Sequence, residues 1–280
     1  MYRVSKVLNN NGVIAIDMDE NQEYVILGKG VGFGKKVSQR FDKPQECTMY
    51  RLAQETERGS AKELLKGIEP EYLEIADVIL TEAQKVFGDS IDRGILFPLA
   101  DHISFAVARI RRNEQISNPL TEDIKVLFYS EFKVAETLKT ILKERLQIEI
   151  DDHEVGYVAL HIHSAIGDEK VSVAMQTARA VRECIDMIEK ATGKPIDVLS
   201  LSYNRLMNHM KYMVARASTG EKLNLDMNEY MLISIHRLMR LPLISVRIWK
   251  DVSGISWTRR RLGIWQCISR ESIKMRCENW

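Results

Sequence analysis

The sequence predicts a multidomain protein, in which a small, all-β antiparallel domain is followed by all-α helical domains. Three observations support this expectation. Short β-branched runs separated by Gly and Asn fill residues 1–58, apolar residues recur at helical spacing from about residue 60, and one helical segment is repeated later in the chain. A length of 280 residues is enough for two or three domains of roughly 100–150 residues each.

The composition is that of a soluble globular protein. Apolar residues make up 45% and charged residues 28%, and a net charge of +1 gives no global basic field that would indicate nucleic acid. No window approaches 18 uncharged apolar residues, and the first residues contain no apolar segment typical of a signal peptide. We therefore expect a cytoplasmic protein without membrane insertion. The four cysteines lack metal-finger spacing and are expected to be reduced thiols.

The predicted sheet occupies residues 1–58. The runs VSKVL, GVIAID, EYVILG and GKKVS each have the composition of a strand. They are interrupted by Asn9-Asn10-Asn11-Gly12, by Asp-Glu-Asn at 19–21, and by glycines at 28, 30, 32 and 34.

The glycine-rich run after EYVIL allows more than one interpretation. A nucleotide-binding enzyme would need a helix opened by these glycines, but no apolar helical stripe follows and no catalytic acids are found. We expect a turn that presents Lys29 and Phe33, with no acidic residue from 28 to 41. Lys suits phosphates, Phe suits unstacked bases, and Asn amides suit base edges, so looped RNA fits. A solvated hairpin is the alternative.

Helical periodicity begins at EYLEIADVILTEAQKVF and continues in LADHISFAVARI, FKVAETLKTILKERL, EVGYVALHIHSAI and VSVAMQTARAVRECIDMIEKATG. The segment from Leu99 to Arg109 matches the segment from Leu206 to Arg216 at a constant offset of 107 residues. This repeat predicts two related helical domains, at 62–168 and 172–235.

Histidines are the chemically informative residues of the helical part. His102 and His209 occupy the same position in the two repeats, which favours a function over a core role. A neutral imidazole can accept a phosphoryl group, which adds about −1.5 to −2 charges. His161 and His163 point about 200° apart on a helix and cannot chelate one metal from one face. We predict no metal, no cofactor and no enzymatic activity.

The last 45 residues, 236–280, differ from the rest. They contain all four tryptophans and a net charge of +7, whereas residues 1–235 carry −6. Such an abrupt change indicates translation in a shifted reading frame, which we favour over a divergent basic tail. The offset of 107 places the counterpart of His161 at Ile268, where no histidine is found nearby.

These motifs resemble a known family. Residues 4–11 (VSKVLNNN) and 27–36 (LGKGVGFGKK) resemble the RNA-binding domain of bacterial transcriptional antiterminators of the BglG/LicT/SacY family. Residues 99–102 (LADH) and 154–161 (EVGYVALH) resemble the histidine motifs of its first phosphotransferase-system regulation domain, and residues 202–209 (SYNRLMNH) resemble the first motif of the second. GKGVGFGKK together with ALHIHSA is most similar to glucose-type members.

The resemblance implies a mechanism. Members dimerise through the sheet and bind a leader-mRNA hairpin, which prevents terminator formation upstream of sugar-transport genes. It implies phosphorylation of His102 and His161 by the sugar permease (enzyme II), which inhibits, and of His209 by the phosphocarrier protein HPr, which commonly activates. The implied RNA-contacting residues are Lys6, Asn10, Asn11, Gly28, Lys29 and Phe33.

Two alternatives remain at this stage. Because the second regulation domain breaks off near residue 235, we expect it to be loosened or misfolded, which would impair regulation. The same regulation domains also occur in DNA-binding activators, but residues 1–58 lack the two adjacent amphipathic helices that such a regulator needs.

Overall fold

The structure is a computed structural model that describes residues 1–52, 55–56, 59–114, 116–167, 170–193, 196, 200, 203, 205–207 and 212. Over these residues an antiparallel sheet is followed by helices, so the predicted fold class is confirmed. One compact unit comprises residues 1–124 and 128–174, and a second comprises residues 125–127 and the described residues from 175 onward. His209 and the tail lie outside the described residues, and the domain boundaries stay predictions.

The strands are β1 (Tyr2–Asn9), β2 (Gly12–Asp17), β3 (Gln22–Leu27), β4 (Arg40–Phe41), β5 (Thr48–Arg51), β6 (Glu55–Thr56) and β7 (Gly59–Ser60). The first five form one antiparallel sheet in the order β4-β1-β2-β3-β5, and β6 pairs with β7. Asn9 pairs with Gly12, so only two residues connect β1 to β2. Val13, Ala15 and Ile26 are fully buried in the sheet core, as the β-branched runs predict.

The predicted strand GKKVS is wrong. Residues 34–38 form no strand, because Gly34 and Ser38 both have left-handed backbone conformations, with φ of 67° and 69°. The Ser38 N–H donates to the Val4 carbonyl at 2.8 Å, and strand pairing begins only at Arg40. The edge strand is therefore short and starts later than its β-propensity indicates.

The helices are α1 (Ala61–Gly67), α2 (Pro70–Phe87), α3 (Leu96–Arg111), α4 (Thr121–Leu127), α5 (Tyr129–Ala135), α6 (Thr137–Leu146), α7 (Asp152–Gly167) and α8 (Val171–Thr192). Helix α2 has proline in its first turn and is followed by Gly88, whose φ of 67° and ψ of −150° form a backbone conformation that glycine adopts readily. Helix α2 packs against α3, and α5 packs against α7. No helix among the described residues combines the length and hydropathy needed to cross a membrane.

The segment FKVAETLKTILKERL does not form the single helix that its periodicity predicts. It divides into α5 and α6 at Glu136. The Thr137 hydroxyl donates to the Val134 carbonyl at 2.7 Å, and the Lys139 N–H bonds the carbonyl three residues back instead of four. Local competition of this kind weakens a helix at that point.

The sheet contacts the first helices through a polar cluster. Arg93 donates from Nη2 to the Tyr50 hydroxyl on β5 and to the Asp77 carboxylate on α2, both at 2.8 Å. The Tyr50 hydroxyl in turn donates to Asp77. Burial, followed by the charge of Asp77, raises the pKa of Tyr50, so its hydroxyl stays a donor.

Candidate functional site

The first candidate site joins two loops at one end of the sheet. We call residues 9–12 the Asn turn and residues 28–34 the glycine loop. The Gly28 N–H donates to the Asn11 carbonyl and the Gly32 N–H to the Asn10 carbonyl, both at 2.9 Å. The Gly30 N–H donates to Asn11 Oδ1 at 3.0 Å. Three hydrogen bonds therefore fix the position of one predicted RNA-contacting loop relative to the other.

Glycine is required in the loop for two different reasons. A Cβ atom at Gly32 would overlap the carbonyl oxygen of Asn9, and one at Gly28 would overlap that of Glu46. Gly30 and Gly34 have open space around them but adopt φ of 71° and 67°. Gly28 and Gly32 thus allow the neighbouring backbone to come close, and Gly30 and Gly34 allow the chain to turn tightly.

The loop pair exposes the groups that the sequence predicts to contact RNA. Phe33 is 74% exposed, the highest exposed fraction among the large apolar side chains that the structure describes. Lys29 and Asn10 are exposed, while Asn11 is half-buried because it supports the glycine loop. Lys6 is exposed on β1, where it is in register with Ile14. The structure thus brings Asn10, Asn11, Gly28, Lys29 and Phe33 to one end of the sheet.

Helix α2 contributes a residue that the sequence reasoning missed. Glu74 accepts a hydrogen bond from Asn9 Nδ2 at 2.6 Å on one oxygen and from Asn11 Nδ2 at 3.2 Å on the other. Arg145 Nη1 lies 3.8 Å from the second oxygen. The local sequence does not predict this contact. A glutamate is common on the surface of any helix, and Glu74 is more than 60 residues away from the Asn turn in sequence.

The second candidate site lies between α3 and α7. His102 on α3 and His161 on α7 have ring centroids 5.3 Å apart, and the Tyr157 ring lies 5.7 Å from that of His102. Both histidines are buried, with only 8% and 5% of their surface exposed. The structure therefore brings together His102, which the repeat singled out, and His161, which the family resemblance implies.

An ion-pair network surrounds His102. The buried Glu154 accepts from Arg109 Nη2 at 2.8 Å, and its other oxygen lies 3.4 Å from His102 Nε2. This oxygen and His102 Nε2 are buried without an aligned hydrogen bond among the described residues. Burial alone would raise the pKa of Glu154, but His102 and Arg109 together outweigh it and hold the pKa below its ordinary value. Glu154 is therefore an ionised carboxylate beside the His102 ring near neutral pH.

His163 belongs to a different contact. Its Nδ1 atom lies 2.8 Å from Glu131 Oε1, and its ring centroid lies 4.2 Å from that of Phe128. His161 and His163 thus face different partners, as their spacing on one helix predicts. Within the part of the chain that the structure describes, no three His, Cys, Asp or Glu side chains are arranged to hold a metal ion.

Two family profiles match the chain. The one described as a CAT RNA binding domain matches residues 2–59, and the one described as a PRD domain matches residues 77–165. The first match covers the Asn turn and the glycine loop, and the second covers His102 and His161. The two loops and the two histidines therefore lie within recognised domains, whereas Glu74 lies between the two matched ranges.

Named relatives agree with these profiles. The GlcA/glcB genes antiterminator of Staphylococcus carnosus is 30% identical over 224 residues, which is 79% of this chain and 77% of the relative. Transcription antiterminator LicT of Bacillus subtilis is 27% identical over 78% of both chains. A solved structure described as GlcT CAT-PRDI is 31% identical, covers 59% of this chain and 98% of its own, and superimposes with a TM-score of 0.52.

Proposed function

Because the chain belongs to the family of transcription antiterminators that join a CAT RNA-binding domain to a PRD domain, we propose specific residues for both activities. The RNA interface consists of Lys6, Asn10, Asn11, Gly28, Lys29 and Phe33. It binds a hairpin in a nascent leader mRNA and keeps the overlapping terminator from forming, upstream of sugar phosphotransferase-system genes.

The exposed Phe33 carries this proposal. An aromatic ring that is 74% exposed at the tip of a hydrogen-bonded loop costs solvation free energy unless a partner covers it. The fourteen residues from 28 to 41 include Lys29, Lys35, Lys36 and Arg40 and no acidic residue. Stacking of an unpaired base on the ring and phosphate contacts by the lysines use these features together.

A matched pair of variants tests the RNA interface. In the full chain, Phe33→Ala removes the proposed stacking ring, while Val37→Ala removes an apolar side chain that is also exposed on the same connection, at 63%. The probe is the leader hairpin of the neighbouring sugar-transport operon. We expect F33A to weaken binding by about tenfold or more, since base–aromatic stacking contributes about 1–3 kcal/mol. Equal binding by F33A, V37A and the unchanged chain would contradict the assignment.

For regulation, we infer that His102 and His161 accept phosphoryl groups from a sugar permease of the phosphotransferase system, and that His209 accepts one from the phosphocarrier HPr. The adjacent imidazoles support this assignment for the first two. A phosphoryl group on His102 adds about −1.5 to −2 charges beside the buried Glu154 carboxylate, and the resulting repulsion would change the α3–α7 contact. Because both rings are buried, transfer requires α3 and α7 to separate first.

Reconstituted phosphoryl transfer tests this regulation. The full chain is incubated with the purified general phosphotransferase proteins and the permease domain, and phosphohistidines are located by mass spectrometry under alkaline conditions. His102→Gln and His161→Gln are expected to remove the permease-dependent signal, and His153→Gln serves as the histidine control. Undiminished labelling in the first two variants would exclude them as acceptors.

The proposed active form is a cytoplasmic homodimer. An RNA hairpin has two grooves and a loop that a protein can contact. A dimer that pairs two sheets presents twice the basic and aromatic surface to one hairpin. Light scattering of the chain with and without the hairpin distinguishes a two-to-one complex from a one-to-one complex.

A further inference from the structure

The contact between Glu74 and the Asn turn uses one N–H from each of two asparagine side-chain amides. Asn9 Oδ1 already accepts from the Asn11 N–H at 2.9 Å, and Asn11 Oδ1 already accepts from the Gly30 N–H at 3.0 Å. In these two side chains, the amide NH₂ groups are the remaining donors that could bind a ligand. Both groups point at Glu74, one at each carboxylate oxygen.

We propose that Glu74 is an intramolecular competitor of RNA, which holds the Asn turn in a form that cannot bind the hairpin. This inference rests on the proposed RNA interface and adds a regulatory contact to it. The Glu74 carboxylate offers two negatively charged oxygen acceptors to the amides, as an RNA phosphate does. Base carbonyl groups of RNA are uncharged acceptors that could bond the same amides. Glu74 engages one hydrogen of each amide and fixes the direction in which that amide faces, so an RNA group that needs the same N–H competes with Glu74 for it.

Charge strengthens the exclusion. Glu74 retains a side-chain exposure of 19% and has a cation only at 3.8 Å, from Arg145. Its negative charge would therefore face the phosphates of any RNA bound at the Asn turn, at a distance where repulsion is strong. RNA binding thus requires α2 to move away from the turn as well as the two amide bonds to break.

The position of Glu74 connects the two candidate sites. One turn further along α2, Asp77 contacts Tyr50 of the sheet, so the helix is held to the sheet at two successive points. Helix α2 also packs against α3, which carries His102. A displacement of α3 could therefore reach the Asn turn through α2 alone, because α2 contacts α3 and carries Glu74.

Three substitutions separate a specific contact from a general charge effect. Glu74→Asp keeps the charge but is one methylene shorter, so it cannot reach both amides. Glu74→Gln keeps the length and removes the charge. Glu82→Gln removes a charge from the same helix, at a residue that forms an ion pair with Lys85 at 2.6 Å within the described part of the chain.

Affinity for the leader hairpin is measured on the full chains by fluorescence anisotropy, and far-UV circular dichroism verifies that each variant is folded. We expect E74D and E74Q to bind about tenfold tighter or more, because a charge-assisted hydrogen bond is lost only from the closed form. E82Q should match the unchanged chain. If E74D binds the hairpin no more tightly than the unchanged chain, the competition is excluded. Tighter binding by E74Q alone would then show that only the charge of Glu74 affects RNA affinity.

A second measurement does not depend on any variant. In the unchanged chain labelled with ¹⁵N-asparagine, addition of the hairpin should shift the side-chain amide signals of Asn9 and Asn11 together, because both lose Glu74. An unchanged Asn9 signal in a saturated complex would overturn the proposal. If neither the unchanged chain nor any variant binds the hairpin, the RNA interface itself fails. If all bind equally, only the competition fails.

Discussion

At the scale of single residues, the glycine loop shows how two neighbouring glycines differ in what they require. Gly32 lies against the backbone carbonyl of Asn9, where no flexible side chain can move aside. Gly34 lies in open space and is constrained only by its φ of 67°. A steric clash with backbone and a strained dihedral have different costs, so identical substitutions at the two positions have different outcomes.

We expect Gly32→Ala to open the junction between the Asn turn and the glycine loop, and Gly34→Ala to cost only about 1–2 kcal/mol. Hydrogen exchange of a peptide that covers β2 measures this directly, since local opening raises the exchange rate. G32A should lose most protection there, while G34A stays close to the unchanged chain. Equal protection in both variants would show that the loop rearranges around the added methyl group.

Asparagine illustrates which residue roles a sequence reveals. The run of three asparagines before a glycine predicts a turn, and the turn is found between β1 and β2. Asparagine amides suit base edges, and the family resemblance implies that Asn10 and Asn11 make these contacts. What could not be predicted is that Asn9 and Asn11 both bond Glu74, because that contact depends on how α2 packs against the sheet.

At the scale of elements, the pairing of α3 with α7 makes one site from two separate motifs. Periodicity predicted both helices, and the repeat singled out His102. The ion pair between Arg109 and Glu154 was not predicted, although both residues lie within the quoted motifs, because charged residues at helical spacing usually face solvent. Here Glu154 is buried, so its ionisation is linked to stability.

The lowered pKa of Glu154 predicts a pH dependence with a definite sign. The folded state favours the ionised carboxylate, so the stabilisation is complete above the ordinary pKa of 4.5 and is lost as the pH falls through the lowered value. Glu154→Gln should therefore reduce the free energy of unfolding by about 1–3 kcal/mol near neutral pH. The difference from the unchanged chain should shrink at an acidic pH well below 4.5.

Urea unfolding followed by far-UV circular dichroism at both pH values tests this expectation. Glu149→Gln is the matched control, since Glu149 pairs with Lys143 at 2.8 Å but is 78% exposed. Exposed pairs contribute little, so E149Q should leave the unfolding midpoint almost unchanged at either pH. A constant gap between E154Q and the unchanged chain across the pH range would contradict the linkage.

Two elements differ from the sequence expectation for a shared reason. In GKKVS and in FKVAETLKTILKERL the side chains favour a regular element, but a few backbone contacts interrupt it. Ser38 adopts a left-handed conformation and bonds β1, while Thr137 bonds the preceding turn. Strand and helix propensities describe the average preference of each side chain. These interruptions depend on individual hydrogen bonds, which a sequence pattern does not predict.

At the scale of the whole molecule, the sheet and the first helices form one compact unit, although the sequence indicates two separate modules. Composition and periodicity identify the β domain and the helical domain because apolar residues are spaced differently in strands and in helices. They carry no information about whether polar residues such as Tyr50, Asp77 and Arg93 join the modules. This joint matters for function, since it belongs to the same face of α2 as the Glu74 contact.

Arg93→Ala should loosen this joint. It removes charged hydrogen bonds to Tyr50 and Asp77 and leaves Asp77, with 21% of its side chain exposed, without its cation. Because such bonds contribute about 1.5–3 kcal/mol each, exchange protection should fall in β5 and α2 together. Arg112→Ala is the matched control, because the Arg112–Glu114 pair is 62% and 57% exposed and should contribute almost nothing. If R93A and R112A show the same exchange pattern, the cluster does not join the sheet to the helices, and release of α2 from the Asn turn would not need to break it.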